Sequence, residues 1–136
     1  MALRDQTGEV IFVACRKPAH CRDATEAELL AIEEGLKLAL HWTTLPFTIE
    51  TDCAEAIVLI NESTPNTSVY AFRIDAIRAL LKERGTSLVK ISRNGNQVSH
   101  DLAKLSRVQD RTAVWLRNYP EEISVAINLD CNPIVV

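Results

Sequence analysis

Three side chains in this sequence have types and positions that could perform metal or phosphate chemistry: Glu28, Asp52 and His100. Carboxylate oxygens are the ligands that Mg²⁺ prefers, so two carboxylates that converge at one edge of a sheet would suit this ion. A histidine can bind or transfer a proton near neutral pH. The sequence has no glycine-rich phosphate loop, serine elbow or Cys-His nucleophile pattern. The acidic side chains and this histidine are therefore the candidates for a site.

Glu28 lies in a segment of strong helix formers, TEAELLAIEEGLKLALH, at residues 25–41. On a helical wheel, Glu28 shares the inward face with small and apolar side chains. These are Ala31, Ile32, Gly35 and Ala39, while the residues predicted to point the other way are Glu26, Glu33 and Lys37. The alternative is that Glu28 closes a capping box, Thr25-x-x-Glu28, at the start of the helix. The spacing leaves both interpretations open, with Asp23 or Thr25 as the N-cap.

Asp52 ends a predicted strand, FTIETD at residues 47–52, and directly precedes a predicted helix at residues 53–61. In α/β sheets, ligands bind at the carboxyl ends of strands, so this position suits a site. The alternative is an N-cap with its own capping box, Asp52-x-x-Glu55. The sequence alone does not show whether Asp52 and Glu28 converge.

His100 lies near the start of the last clear predicted helix, within GNQVSHDLAKLS at residues 95–106. The apolar stripe of this helix comprises Val98, Leu102 and Leu105. His100 lies on the opposite side together with Lys104 and Arg107. One interpretation is a solvated polar face, and the other is a histidine with two cations that meet a phosphate backbone.

Short-range signals predict an α/β fold. Turn residues at 5–8 between two apolar stretches predict a β-hairpin, and SLVKIS at 87–92 predicts a further strand. A third helix is predicted within residues 69–84. The order β-β-α-β-α-α-β-α over about 108 residues predicts one mixed sheet flanked by helices. Residues 109–136 are predicted to be a tail of uncertain structure, with a strand-like run, ISVAINL, at 123–129.

Composition limits the class of protein. With 136 residues and 47% hydrophobic composition, the chain is the size of one globular domain. Its formal net charge of -3 does not attract nucleic acid as a whole, so any phosphate binding has to be local. The four cysteines lie far apart, which favours reduced thiols in an intracellular protein. We find no signal peptide and no apolar run long enough for a membrane span, so no membrane partner is expected.

Four runs resemble one known family when they are taken together. They are ALRDQTGEV, EAELLAIEEGLKLAL, TIETDCAEAIVLI and NQVSHDLAKLS, in this order. Together they resemble the plant RNase H-like domain, the reverse-transcriptase-like branch of the ribonuclease H type 1 family. The resemblance covers roughly Ala2 to Val108, which defines a predicted RNase H-like domain at residues 1–108 and a tail at 109–136.

The resemblance implies a hydrolase that cleaves the RNA strand of an RNA–DNA hybrid. It implies a five-stranded mixed sheet flanked by helices and four acidic residues that hold two Mg²⁺ ions for a two-metal displacement. Carried over position by position, Glu28 matches the glutamate of the first helix, and Asp52 matches the aspartate that closes a strand. These two residues are therefore expected to be catalytic and to bind the metal.

The other two acidic positions depart from the family. The first strand of the family, the middle one in its sheet, carries the first aspartate, and this sequence begins inside the second strand. Asp5 is no substitute because it falls in the hairpin turn. The fourth acid is expected where His100 stands, and Asp101 next to it is rotated by about 100° on the helix. The run that ends in Asp130 is the one internal candidate for the missing strand.

These departures leave three hypotheses. A domain incomplete at its N terminus and short of two acids is expected to bind Mg²⁺ weakly and to be an impaired or inactive ribonuclease. The first alternative is a non-catalytic nucleic-acid-binding or interaction module, in which Lys104 and Arg107, with Arg78 and Lys82 on another helix, contact phosphates. The second is a truncated gene product without a function of its own.

Overall fold

A β-hairpin opens the chain, as predicted, in a computed structural model that describes residues 1–5, 7–17 and 20–131. Strand β1 (Ala2–Arg4) pairs antiparallel with β2 (Val10–Cys15). The Asp5 carboxylate forms the turn, because its Oδ1 accepts hydrogen bonds from the Thr7 N–H at 2.8 Å and from the Glu9 N–H at 3.0 Å. Gly8 adopts φ 90°, a conformation that glycine allows at little cost.

The chain divides into two compact units. The first contains Met1–Ala19 and Arg93–Val136, and the second contains His20–Ser92. In the first unit, helix α4 (Gln97–Gln109) follows a short 3₁₀ helix, Asn94–Asn96, and strand β5 (Ala113–Leu116) follows α4. In the second unit the order is α1 (Ala24–Trp42), β3 (Thr48–Thr51), α2 (Ala54–Asn61), α3 (Ala71–Glu83) and β4 (Ser87–Lys90). The predicted order of strands and helices up to α4 is therefore confirmed.

The strands form two sheets, with the orders β1-β2-β5 and β3-β4. β2 pairs antiparallel with both its neighbours, whereas β3 and β4 are parallel. The mixed α/β character is confirmed, but within the described ranges no strand joins β1 to β3 into one continuous sheet. The prediction of one mixed sheet is therefore wrong for the described residues, which form one antiparallel and one parallel sheet.

The segment after α4 contributes to the first unit. β5 pairs with the edge of β2 that β1 leaves open, with Val13 opposite Trp115. The strand predicted at residues 123–129 is wrong, because this run is helical: a 3₁₀ turn, Glu121–Ile123, leads into α5 (Ser124–Cys131). Its buried side chains, Ile123, Ala126 and Ile127, are three and four residues apart, which is helical spacing. The run therefore does not supply the missing strand.

One apolar face of α4 packs into the core of the first unit. Its buried residues include Val98, Leu102 and Leu105, as the helical wheel predicts. Val98 and Leu102 share a cluster with Val13 and Cys15 of β2 and with Ala126 and Ile127 of α5. The opposite face of α4 therefore remains on the surface.

In the second unit, two arginines bind the carboxyl ends of helices. The Arg78 guanidinium donates to the carbonyls of Leu59, Ile60 and Glu62 at the end of α2, at 2.8–2.9 Å. The Arg84 guanidinium donates to the carbonyls of Leu40 and Thr43 at the end of α1. These carbonyls lack partners within their helices and carry partial negative charge. An arginine therefore stabilises them in two ways, by donating hydrogen bonds and by placing a positive charge at the negative end of the helix dipole. The prediction that Arg78 contacts phosphates is wrong, because this side chain serves α2.

The position of Glu33 differs from the one that the helical wheel of α1 predicts. The wheel points it outward, but the structure buries it to 8% exposure in the packing of α1 against α3. Lys37 donates to it at 2.7 Å, and Arg73 of α3 binds its other oxygen. Burial by itself would raise the pKa of Glu33, but the bonds to Lys37 and Arg73 outweigh burial and lower that pKa. The carboxylate is thus ionised and paired inside the interface.

None of the helices in the described ranges is both long and apolar enough to cross a membrane.

Replacement of Arg78 tests its role at the end of α2. Arg78→Ala should lower the free energy of unfolding by about 1–3 kcal/mol, because three carbonyls lose a charged donor. Urea denaturation measures this change. Lys82→Ala, an exposed cation on the same helix, is the control and should shift stability by less than about 0.5 kcal/mol. Equal effects of the two variants would contradict the capping role.

Glu33→Gln tests the buried pair through pH. Because the folded state lowers the pKa of Glu33 below its ordinary value of 4.5, its contribution is present above that pH and is lost as pH falls through the lowered pKa. We expect Glu33→Gln to be less stable than the parent by about 1–3 kcal/mol at neutral pH, with the gap narrowing below pH 4.5. Denaturation series from pH 7 to pH 3, with the exposed Glu83→Gln as the control, measure this gap. A gap that is constant with pH would show that Glu33 is not held by its charge.

Candidate functional site

A shallow groove of about 400 Å³ lies along the surface face of α4. Its polar lining consists of Arg93, Gln97, His100, Asp101, Lys104 and Arg107. Lys104 and Arg107 are exposed, and His100 is half-buried. The sequence placed His100, Lys104 and Arg107 on one side of this helix, and the structure shows them together there. Their roles in binding stay predictions.

Positive charge exceeds negative charge in this groove. Arg93, Lys104 and Arg107 are basic side chains, whereas Asp101 is the one carboxylate among the lining residues. Sequence analysis missed Arg93 because it precedes the helix. The signal was present, since positions 93, 97, 100, 104 and 107 repeat every three or four residues, as they do on one face of a helix.

Asp101 lines the same groove as His100. The rotation of 100° was expected to direct it elsewhere, but both side chains line the groove. The groove includes both His100 and Asp101 because its lining side chains come from more than one line of residues along α4. The Asp101 Oδ1 accepts a hydrogen bond from the Gln97 side-chain amide at 2.8 Å, one turn earlier on α4.

The start of α1 does not use the capping box that includes Glu28. The N-cap is Asp23, whose carboxylate accepts from the Glu26 N–H at 2.8 Å. Thr25 lies inside the helix, and its hydroxyl donates to Glu55 at 2.7 Å, so the Thr25-x-x-Glu28 interpretation is wrong. The Tyr70 hydroxyl also donates to Asp23, and this bond, helped by the Glu26 N–H, lowers the pKa of Asp23. Glu28 is half-buried, one turn beyond the cap.

Asp52 likewise precedes its helix without being the N-cap. The N-cap of α2 is Cys53, which makes no side-chain capping bond, so the Asp52-x-x-Glu55 interpretation is also wrong. Asp52 is half-buried and follows the last residue of β3, Thr51. The hydrogen bond from Thr25 to Glu55 joins the first turns of α1 and α2. Glu28 and Asp52 each lie three residues along the chain from one partner of this bond, and their convergence on one site stays a prediction.

The described side chains do not fit the two Mg²⁺ ions that the resemblance implies. Among the described side chains, which are those of residues 1–5, 7–17 and 20–129, no group of three or more His, Cys, Asp or Glu is arranged to hold a metal ion. Asp5 does not contribute, because the turn uses its carboxylate, and the hydroxyl of Thr7 lowers its pKa. The side chain of Asp130 lies outside the described residues. The described side chains therefore do not assemble the cluster of four acids that the resemblance implies for two Mg²⁺ ions.

Comparison with known families gives a match over most of the chain. A family model described as reverse transcriptase-like matches residues 1–106. The chain belongs to this family. Its α/β structure is thus that of an RNase H-like domain of the reverse-transcriptase-like branch, as the sequence resemblance implied. The match ends within α4, so β5 and α5 of this RNase H-like domain lie beyond the matched residues. No curated protein and no solved structure matches the chain.

Proposed function

We propose that this RNase H-like domain binds nucleic acid through the groove on α4 and has little or no hybrid-ribonuclease activity. The observation that carries the proposal is the set of three basic side chains, Arg93, Lys104 and Arg107, along one exposed groove. Cations that neutralise phosphates release counterions, which supplies the sequence-independent part of nucleic-acid affinity. Membership of the RNase H-like family supports nucleic acid, rather than another polyanion, as the partner.

We expect weak or absent catalysis because two of the family's four acidic ligands for Mg²⁺ have no match in this chain. Mg²⁺, if bound, would activate water and stabilise the leaving oxygen, and it needs several oxygen ligands held together. By resemblance, Glu28 and Asp52 match two of the four acidic positions of the family. His100 stands where the fourth acid is expected. Neutral imidazole is a poor ligand for Mg²⁺, so His100 does not replace the acid. Its role in the proposal is to donate a hydrogen bond or a proton to a phosphate.

A binding titration tests the proposal. A fluorescently labelled RNA–DNA hybrid, titrated in EDTA and followed by anisotropy, should bind with an affinity that falls steeply as salt rises. Lys104→Glu combined with Arg107→Glu should remove most of this binding, because two attractions become repulsions. Lys17→Glu combined with Arg22→Glu, which makes the same change of net charge outside the groove, is the matched control. Binding that ignores salt, or that both double variants weaken equally, would overturn the proposal.

A hybrid endoribonuclease that uses Mg²⁺ is the second candidate function. It is favoured by Glu28 and Asp52, because neither belongs to the capping box offered as its alternative role: the N-caps of α1 and α2 are Asp23 and Cys53. We propose it second because the described donors do not form a metal cluster.

A cleavage assay separates the two candidates. With Mg²⁺ and a hybrid labelled on the RNA strand, we expect the parent chain to cleave no faster than Glu28→Gln or Asp52→Asn. Cleavage by the parent that falls by about 100-fold or more in both variants would establish the enzyme. A folded chain that neither binds nor cleaves would favour the third hypothesis, a product without its own function.

A further inference from the structure

Helix α3 has an apolar surface on the side that faces away from the core of the second unit. Its buried side chains, Ile74 and Ile77, pack in the apolar cluster of that unit. On the outer side, Phe72 is 91% exposed, and Val69, directly before the N-cap of the helix, is 67% exposed. Neighbouring apolar side chains that are this exposed are typical of a surface that contacts a partner.

The spacing of the outer apolar side chains suits packing against a second helix. Val69, Phe72, Ala76 and Ala79 follow one another at intervals of three, four and three residues, which is the pattern along which paired helices pack. Phe72 supplies most of the contact area, and the small side chains of the two alanines leave room beside it. We call these four residues the outer face of α3.

Two exposed side chains of opposite charge lie on one flank of the outer face. Asp75 and Lys82 are seven residues apart, about two turns, so they lie on the same side of the helix. The Asp75 side chain is 71% exposed, and its contact with Arg78 is long, at 3.9 Å. The Arg78 guanidinium donates to carbonyls of α2, so the Asp75 carboxylate is open to a second cation.

We infer that two copies of this chain associate through α3, with the two helices antiparallel. A twofold axis level with residues 78 and 79 places Asp75 of each copy beside Lys82 of the other, so two ion pairs form together. In a parallel pair, Asp75 would lie level with Asp75 and Lys82 with Lys82, and like charges repel. Charge complementarity therefore identifies the occupant of the outer face as a second copy in reversed orientation.

The end of α3 has room for the Phe72 ring of the second copy. In the antiparallel pair, Phe72 lies level with residues 85 and 86, directly after the helix ends at Glu83. Beyond its chain neighbours, a Cβ added at Gly85 would meet no heavy atom of the described residues within 4 Å. The surface at the end of the helix is therefore open to an aromatic ring.

Glu83 limits the strength of the pair. It follows Ala79 by four residues, so it extends the outer face by one position and brings a carboxylate near Asp75 of the second copy. The helix is also short: 13 residues span about 20 Å, which makes a small interface. The inference is thus of a weak, reversible dimer. It is independent of the proposed function, because α3 belongs to the second unit and the α4 groove to the first.

Sedimentation equilibrium of the full chain, in EDTA and without nucleic acid, tests the inference. Between about 10 µM and 1 mM, the parent chain should shift from monomer toward dimer. Phe72→Ala should weaken the association about tenfold or more, because the symmetric contact loses two rings. Glu83→Gln should tighten it about two- to fivefold, a gain that a partly unfolded variant would not produce.

Charge reversal tests the antiparallel orientation. Asp75→Lys and Lys82→Asp, made singly, should each weaken the dimer about tenfold or more, because both ion pairs become like-charge contacts. The combined variant, Asp75→Lys with Lys82→Asp, should restore the association to within about threefold of the parent. Glu62→Lys makes the same change of charge at another exposed acid of the second unit and is the control, which should leave the association unchanged.

Three results would overturn the inference. A chain that stays monomeric at about 1 mM forms no such dimer. A dimer that is equally strong in Phe72→Ala and in both charge reversals forms through another surface. A dimer that Phe72→Ala weakens, but that the combined charge variant does not restore, lacks the antiparallel ion pairs. The proposed function is tested separately by the binding titration, whatever the outcome here.

Discussion

The packing of one face of α4 against β2 is the constraint that fixes the candidate site. Val98 and Leu102 are buried in a cluster with Val13 and Cys15, and Leu105 is buried on the same face of the helix. Each fully buried aliphatic side chain contributes about 1.5–3 kcal/mol relative to exposure, so a rotation of the helix that exposed three of them would cost several kcal/mol. The same rotation would bury Lys104 or Arg107. Hydrophobic packing therefore holds the cationic face of α4 toward the solvent, where a polyanion can reach it.

The role of an arginine or lysine side chain in this protein does not follow from its position in the sequence. Arg78 and Arg84 come from the region of α3, and their guanidinium groups bind the carboxyl ends of α2 and α1. Arg73 joins Lys37 in neutralising Glu33 inside a helix interface. These side chains stabilise the second unit, whereas Lys104 and Arg107 lie exposed along a groove. A cation of this protein has a structural role where tertiary packing brings carbonyls or carboxylates to it.

The parts of the fold that depend on local signals could be predicted from the sequence. Asp5 and Gly8 determine the hairpin turn within four residues, and the apolar spacing of α4 determines which face carries His100. The features that were mispredicted depend on residues far away in the chain. Glu33 is buried because Arg73, forty residues later, provides its partner, and Thr25 bonds Glu55, thirty residues later, instead of capping α1. A pattern of neighbouring residues cannot predict contacts between residues this far apart in the sequence. The same holds for β5, whose four residues form a strand by pairing with β2.

The chain belongs to the reverse transcriptase-like family, but its described side chains differ from the metal site that the resemblance implies. The match to the reverse transcriptase-like family covers residues 1–106, while the described donors form no metal cluster. A backbone-amide NMR titration of the chain with an RNA–DNA hybrid, in EDTA, tests the central claim most directly. Nucleic-acid binding at the groove predicts that the largest shifts map to Arg93 and to α4 between Gln97 and Arg107. Shifts confined to the surroundings of Glu28 and Asp52, with α4 unchanged, would contradict it.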